Sequence, residues 1–181
     1  MEQKPGLNRM LLKIDRSHFE RFHRESILRR TAMGEIRAKI GLQNYEDKLL
    51  FEMGKLAKKK VRSRDIDAVV DTGAVMMLLP QDLVEDLGLK ITGRTLVLLA
   101  NDARIELPCT GLVHLTIAGR EWETDCLVGP PGCEPLIGQL IMARLDLIPD
   151  PVQRTLTVRP ESPLRPTRKM KTGRLGKYAP S

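Results

Sequence analysis

Between residues 33 and 158 the apolar side chains come in short runs, several of them alternating, punctuated by Gly, Pro, Asn or Asp. That rhythm predicts many short strands joined by tight turns, and hence an all-β barrel or sandwich. The runs fall at 35–40, 66–70, 76–79, 95–99, 104–107, 112–117, 121–128, 136–138 and 155–158. Pro80 ends the third, Asn101-Asp102 turns the fourth into the fifth, and Ala118-Gly119-Arg120 reverses the chain again. Short helices are expected at 81–87, stopped by Gly88, and at 139–144. Residues 45–56 read as either a short helix or an irregular excursion, and Lys58–Lys60 as a solvated loop. Aromatic residues are only 3% of the chain, so the core has to be built from Leu, Ile and Val. The same scarcity argues against a base-stacking surface for single-stranded nucleic acid.

Charge divides the 181 residues into three regions. Residues 1–32 carry +4, residues 33–158 carry −3 and residues 159–181 carry +6, for a net +7. The basic excess therefore sits at the ends, where it reads as solvated tail rather than as a recognition surface, and no nucleic-acid partner is expected. In the first region Ser17 and Glu20 fit a capping box, with Phe19, Phe22 and Ile27 on one face of a short helix. That region is either a genuine arm or an extension upstream of a true start at Met33, which opens the first strand pattern. The third region is rich in Pro, Arg and Lys and is expected to be disordered. No run approaches the roughly 18 apolar residues of a membrane span, so no membrane partner is expected. No signal peptide is legible, and Cys109, Cys126 and Cys133 show neither a CxxC pair nor histidine at metal spacing. They read as free thiols in a reducing, cytoplasmic setting, with no metal and no cofactor. His114 falls within a strand and reads as a paired structural histidine.

One segment carries chemistry. Val69-Val70-Asp71-Thr72-Gly73-Ala74 delivers a carboxylate from an apolar strand into a tight turn, with Gly73 relieving the backbone. Alone, Asp-Thr-Gly is also a common surface turn. Its context separates the two readings. An apolar run follows, and 65 positions after Asp71 comes Leu136-Ile137-Gly138, preceded by Leu127-Val128-Gly129-Pro130.

This pattern resembles the retropepsins, the single-domain aspartic proteases of the retroviral type, over roughly residues 33–158. It is most similar to the small bacterial and archaeal retropepsin-like proteins. The resemblance implies a closed barrel with one short helix near 139–144, working as a homodimer. It implies that Asp71 is the catalytic carboxylate and that Thr72 ties the two loops together. Gly73 and Ala74 would line the substrate channel, and Leu136, Ile137 and Gly138 would pack behind the loop. The flap would be the hairpin 96–107, its tip at Asn101, Asp102 and Ala103 touching substrate.

Aspartic proteolysis needs two carboxylates sharing one proton, because like charges a few Å apart cannot both ionise. The ionised member takes a proton from water and the protonated member donates to the scissile carbonyl. The chain holds one Asp-Thr-Gly and no Asp-Ser-Gly, so the second carboxylate has to come from a second copy. Such a dyad titrates as a pair. Two departures from the retroviral pattern stand out. Val75 and Met76 occupy positions that are usually acidic, and no glycine lies between Gly93 and Gly111 in the flap candidate. The expected function is an aspartic endopeptidase acting on polypeptide. The first alternative keeps the fold without the chemistry, as a binding or scaffold module, and the second is nucleic-acid tethering through the basic tail at 160–181.

Overall fold

A computed structural model describes residues 35–99 and 102–167. The helix expected around Ser17 and Phe22, the Met33 start, flap residue Asn101 and the tail from 168 onward lie outside the described residues. Strand β1 (Arg37–Asn44) pairs antiparallel with β2 (Ser63–Val70) on one side and with β6 (Val113–Ile117) on the other. Strand β6 continues into β7 (Arg120–Thr124), and β4 (Ile91–Leu98) forms a hairpin with β5 (Arg104–Thr110). Three very short strands join these halves: β3 (Leu78–Pro80), β8 (Leu127–Gly129) and β9 (Leu136–Ile137). The sheet order is β4-β5-β8-β3-β9-β2-β1-β6-β7, with β10 (Leu147–Asp150) and β11 (Thr155–Val158) as a separate ribbon.

This is an open, strongly curled half-barrel, which corrects the closed all-β barrel with one short helix. The sheet is mixed, since β2 and β9 run parallel, as do β3 and β8. Edge strands β4 and β7 do not pair with each other. Beside β7, other groups take the place that a closing strand would need. The Arg120 guanidinium donates to the carbonyls of Leu145, Asp146 and Ser162, and Trp122 lies under the guanidinium of Arg144. The described residues hold three α-helices: α1 (Tyr45–Glu52), α2 (Gln81–Asp86) and α3 (Gln139–Leu145). None is long and apolar enough to cross a membrane.

The excursion at 45–56 resolves into α1 because Asn44 caps it. The Asn44 side chain accepts from the Asp47 N–H at 3.0 Å, and Glu46 and Asp47 place negative charge in the first turn. Asp47 is buried, and its carboxylate takes Nε of Arg62 at 2.7 Å and a second guanidinium nitrogen at 2.8 Å. Those bonds hold the Asp47 carboxyl below its ordinary range. Its contribution to stability is therefore present above the ordinary carboxylate pKa and fades as pH falls through the lowered one. Arg62→Ala strips this carboxylate of its partner. Because the guanidinium is partly in water, the expected cost is about 1–2 kcal/mol in a denaturant melt at pH 7, shrinking as the pH is lowered.

A second charged cluster fixes the far end of α3. Asp146 caps that helix in the left-handed region at φ 51°, and its carboxylate accepts from the Ser162 hydroxyl and from Arg159 Nε at 2.6 Å. These donors lower its carboxyl to about 2. Residues 159–162 are thereby strapped to α3, and Ser162 is buried. With an unfolded carboxyl near about 3.9, the strap is fully held above about pH 4 and loosens toward pH 2. Limited proteolysis between pH 2 and 5 is expected to show cutting after Val158 rising only at the acid end. Asp146→Asn is expected to raise it throughout.

Among the described residues the core contains no aromatic side chain at its centre. Leu42, Ala68, Val70, Leu79, Leu115, Ile137, Ile141 and Leu145 form one buried cluster, with Trp122 only at its margin. A smaller cluster of Leu78, Leu107, Leu127 and Cys133 lies under the β4–β5 hairpin.

Candidate active site

Strand β2 is buried at Ala68, Val69 and Val70 because it has a partner on each side, β1 and β9. It delivers Asp71 at its end, half-buried, and the chain then turns through exposed Thr72 and Gly73. The Gly73 N–H donates to Asp71 Oδ1 at 2.9 Å, and the Ala74 N–H to the Asp71 carbonyl at 3.3 Å. These bonds make an Asx-type turn that fixes the carboxylate relative to its own loop. A Cβ on Gly73 would stand 3.3 Å from that carboxylate oxygen, so the turn wraps closely around it.

The loop is braced from beneath by residues far along the chain. The Val69 N–H donates to the Pro135 carbonyl at 2.9 Å and the Asp71 N–H to the Ile137 carbonyl at 3.0 Å, with Val70 level with Ile137. Gly138 then passes beneath the loop so closely that a Cβ there would lie 2.6 Å from the carbonyl oxygens of both Val75 and Met76. The first N–H groups of α3 point back into the loop, Gln139 to the Ala74 carbonyl at 2.8 Å and Leu140 to the Val75 carbonyl at 3.1 Å. The Gln139 side-chain amide donates to the Thr72 carbonyl. Helix N–H groups left over at an N-terminus thus satisfy the loop's carbonyls. Asp71, Thr72, Gly73, Ala74, Leu136, Ile137 and Gly138 are brought together as one unit.

The family model described as aspartyl protease matches residues 57–141, which span this entire unit. Residues 57–141 belong to the retropepsin-like aspartic protease family. No curated protein matches it as a relative. In this aspartic-protease-family domain the remaining candidates, Asp102 and Ala103, lie apart in sequence and in sheet position. They form the tip of the β4–β5 hairpin, where the Leu99 N–H meets the Ala103 carbonyl at 2.8 Å and Asp102 takes φ 61°. An aspartate tolerates that left-handed geometry, which lets the tip turn without a glycine. Val97 and Ile105 on the hairpin, and Met76 and Leu136 beside the loop, all pack on the same small apolar cluster. The tip-proximal half of the hairpin and the flank of the Asp71 loop therefore share one packing cluster.

Gln139 is the residue that sequence reasoning missed. Its signal was legible, a polar side chain directly after the apolar-apolar-Gly triplet at a helix start. Arg37 is another, since it pairs with Glu35 at 2.7 Å and with Glu134 in the segment leading to β9. His114 is buried, with Nδ1 3.0 Å from Glu123 Oε1 on the neighbouring strand, and so serves the sheet. Cys109, Cys126 and Cys133 are free and buried. Burial pushes the thiols of Cys126 and Cys133 up to about 12, which keeps them protonated and unreactive. Among the described residues no three His, Cys, Asp or Glu side chains gather as metal ligands.

Proposed function

We propose that this chain is an aspartic endopeptidase whose active site forms when two copies meet at their Asp71 loops. The observation that carries the reading is the Asp71 turn itself. A carboxylate is fixed by its own loop, left partly open to solvent, and supported from below by Ile137, Gly138 and Gln139. A plain surface turn has no need of such a foundation. In the dimer one Asp71 is ionised and takes a proton from the water between the pair, while the other, protonated, donates to the scissile carbonyl oxygen. The hydroxide equivalent adds to the carbonyl carbon. Collapse of the tetrahedral adduct breaks the C–N bond, and the departing nitrogen leaves protonated as an amine. Thr72 links the paired loops, Gly73 and Ala74 flank the substrate, and the hairpin tip at 101–103 covers it. The protease domain is taken as residues 33–158. The three free thiols suit a cytoplasmic location.

Incubation with denatured mixed protein from pH 4 to 7, wild type beside Asp71→Asn, tests this by mass spectrometry of new termini. New termini with wild type alone support the reading. No cleavage by either, from a confirmed dimer, replaces it with a binding module on the same fold, and equal cleavage by both removes Asp71 from the chemistry.

A further inference from the structure

Helix α1 buries a single side chain, and that side chain is the Asp47 carboxylate. Its last turn instead carries apolar groups into water. Leu50 and Phe51 are each 40% exposed, and Met53 just beyond them is 61% exposed. The N–H groups of Lys55 and Leu56 both donate to the Leu50 carbonyl, at 2.8 and 3.1 Å, which folds the next segment back against that turn. A single 3-10 turn, Lys58–Lys60, follows. Lys55, Lys58, Lys59 and Lys60 are all exposed. The carboxylates of α1 are already committed, Glu46 to Lys90, Asp47 to Arg62 and Glu52 to Lys48. Among the described residues no carboxylate pairs with any of those four lysines. Residues 49–60 therefore form a tip that holds uncompensated positive charge around exposed leucine, phenylalanine and methionine.

We propose that this tip is a docking surface for an anionic phospholipid bilayer, with Leu50, Phe51 and Met53 entering the headgroup boundary and the lysines meeting the lipid anions. Its composition favours a bilayer over other partners. Protein interfaces are depleted of lysine at their centres, because a partner would have to strip water from each ammonium. A nucleic acid would engage the lysines through its phosphates and leave Leu50 and Met53 in water. An anionic bilayer answers both features: its surface attracts lysine, and its acyl boundary takes up apolar side chains. The long lysine stems let the apolar tip sink while each ammonium stays at headgroup level. Contact of this kind needs no spanning helix. The tip leads into the first residue of β2 and Asp71 follows the last, so the eight residues of that strand put about 25 Å between the bilayer contact and the candidate active site. Bilayer docking is independent of the two-carboxylate reading, and α1 precedes the family-matched residues 57–141.

Co-sedimentation of the full chain with vesicles of phosphatidylcholine, with and without phosphatidylserine, tests this. Wild type is expected to bind the phosphatidylserine vesicles and to lose at least about tenfold in affinity between about 0.05 and 0.5 M NaCl. The combined variant Lys58→Glu, Lys59→Glu, Lys60→Glu is expected to weaken binding at least about a hundredfold. A charge-matched control at exposed positions elsewhere, Lys39→Glu, Arg104→Glu, Arg154→Glu, is expected to stay within about fivefold of wild type. Phe51→Ser with Met53→Ser is expected to cost about tenfold or more. All the substituted side chains are exposed, and thermal melts check that each variant folds. Equal losses in the two charge variants assign the binding to net charge and overturn the proposal. Wild-type affinity in the Phe51 and Met53 variant leaves attraction without insertion and also overturns it. A wild type that does not bind phosphatidylserine vesicles overturns it outright. Capture of duplex DNA or polyglutamate, lost in the same lysine variant, then reassigns the tip to a nucleic acid or to an acidic protein. None of these outcomes bears on Asp71.

Discussion

Asp71→Asn is expected to lower kcat for peptide cleavage by about 10³-fold or more, because the amide can neither take the proton of the attacking water nor share one with its mate. KM, the melting temperature and the dimer affinity are expected to change little, since the Gly73 N–H can still bond to the amide oxygen in place of Oδ1. Subunit mixing gives the sharper form of the experiment. When equal amounts of wild type and Asp71→Asn exchange freely, about a quarter of the dimers carry two aspartates. Activity is then expected to fall to about one quarter of that of the same total of wild type. A fall to about one half means that each copy works alone, and overturns the composite site. Residual activity of the pure variant within about tenfold of wild type removes Asp71 from the chemistry altogether.

Gly138→Ala is expected to be the most damaging single methyl group in the domain. The backbone of Gly138 is extended, at φ −93° and ψ −179°, so alanine meets no conformational penalty there. The obstacle is contact: its Cβ would lie 2.6 Å from two carbonyl oxygens and 2.7 Å from the Val75 carbonyl carbon. These are backbone atoms of the Asp71 loop and cannot swing away as a side-chain end can. Relief requires the loop or α3 to shift, at an expected cost of about 2–3 kcal/mol in a denaturant melt. Displacing the Asp71 loop by about 1 Å is expected to cost about a hundredfold in activity even in the molecules that remain folded. Gly93→Ala is the matched control. Nothing lies within 4 Å of its added Cβ, and its stability is expected to stay within about 0.5 kcal/mol of wild type. Equal stability and activity for the two alanine variants would falsify the close-packed foundation described for the loop.

Much of this was readable in local sequence. The alternation at 35–40 and 104–107, the stop at Gly88 and the helix after Gly138 each depend on a few adjacent residues, and all appear as strands or helices. The Asp-Thr-Gly turn after an apolar strand is equally local, since an Asx turn is made by the aspartate and the residues just after it. The resemblance rested on the order of three such motifs along one chain, and the family model spans all of them, over residues 57–141.

What the sequence determined by itself was therefore most of the local elements and the Asp-Thr-Gly turn that holds Asp71. Periodicity says which face of a strand is buried but not which strand lies beside it. The closed barrel failed on this point. The sheet order leaves β4 and β7 as unpaired edges, and Arg120 and Trp122 in β7 engage α3 and Ser162 instead, over separations of 22 to 42 residues. The two-residue strand β9 was legible as a short apolar run, but its parallel pairing with β2 and antiparallel pairing with β3 were not. The support beneath Asp71 was likewise decided in three dimensions. Gln139 and Thr72 are 67 residues apart in sequence, and the space that requires glycine at 138 exists only once the Val75 and Met76 carbonyls have folded over it. Contacts of that range form by packing, and packing leaves no local signal in the chain.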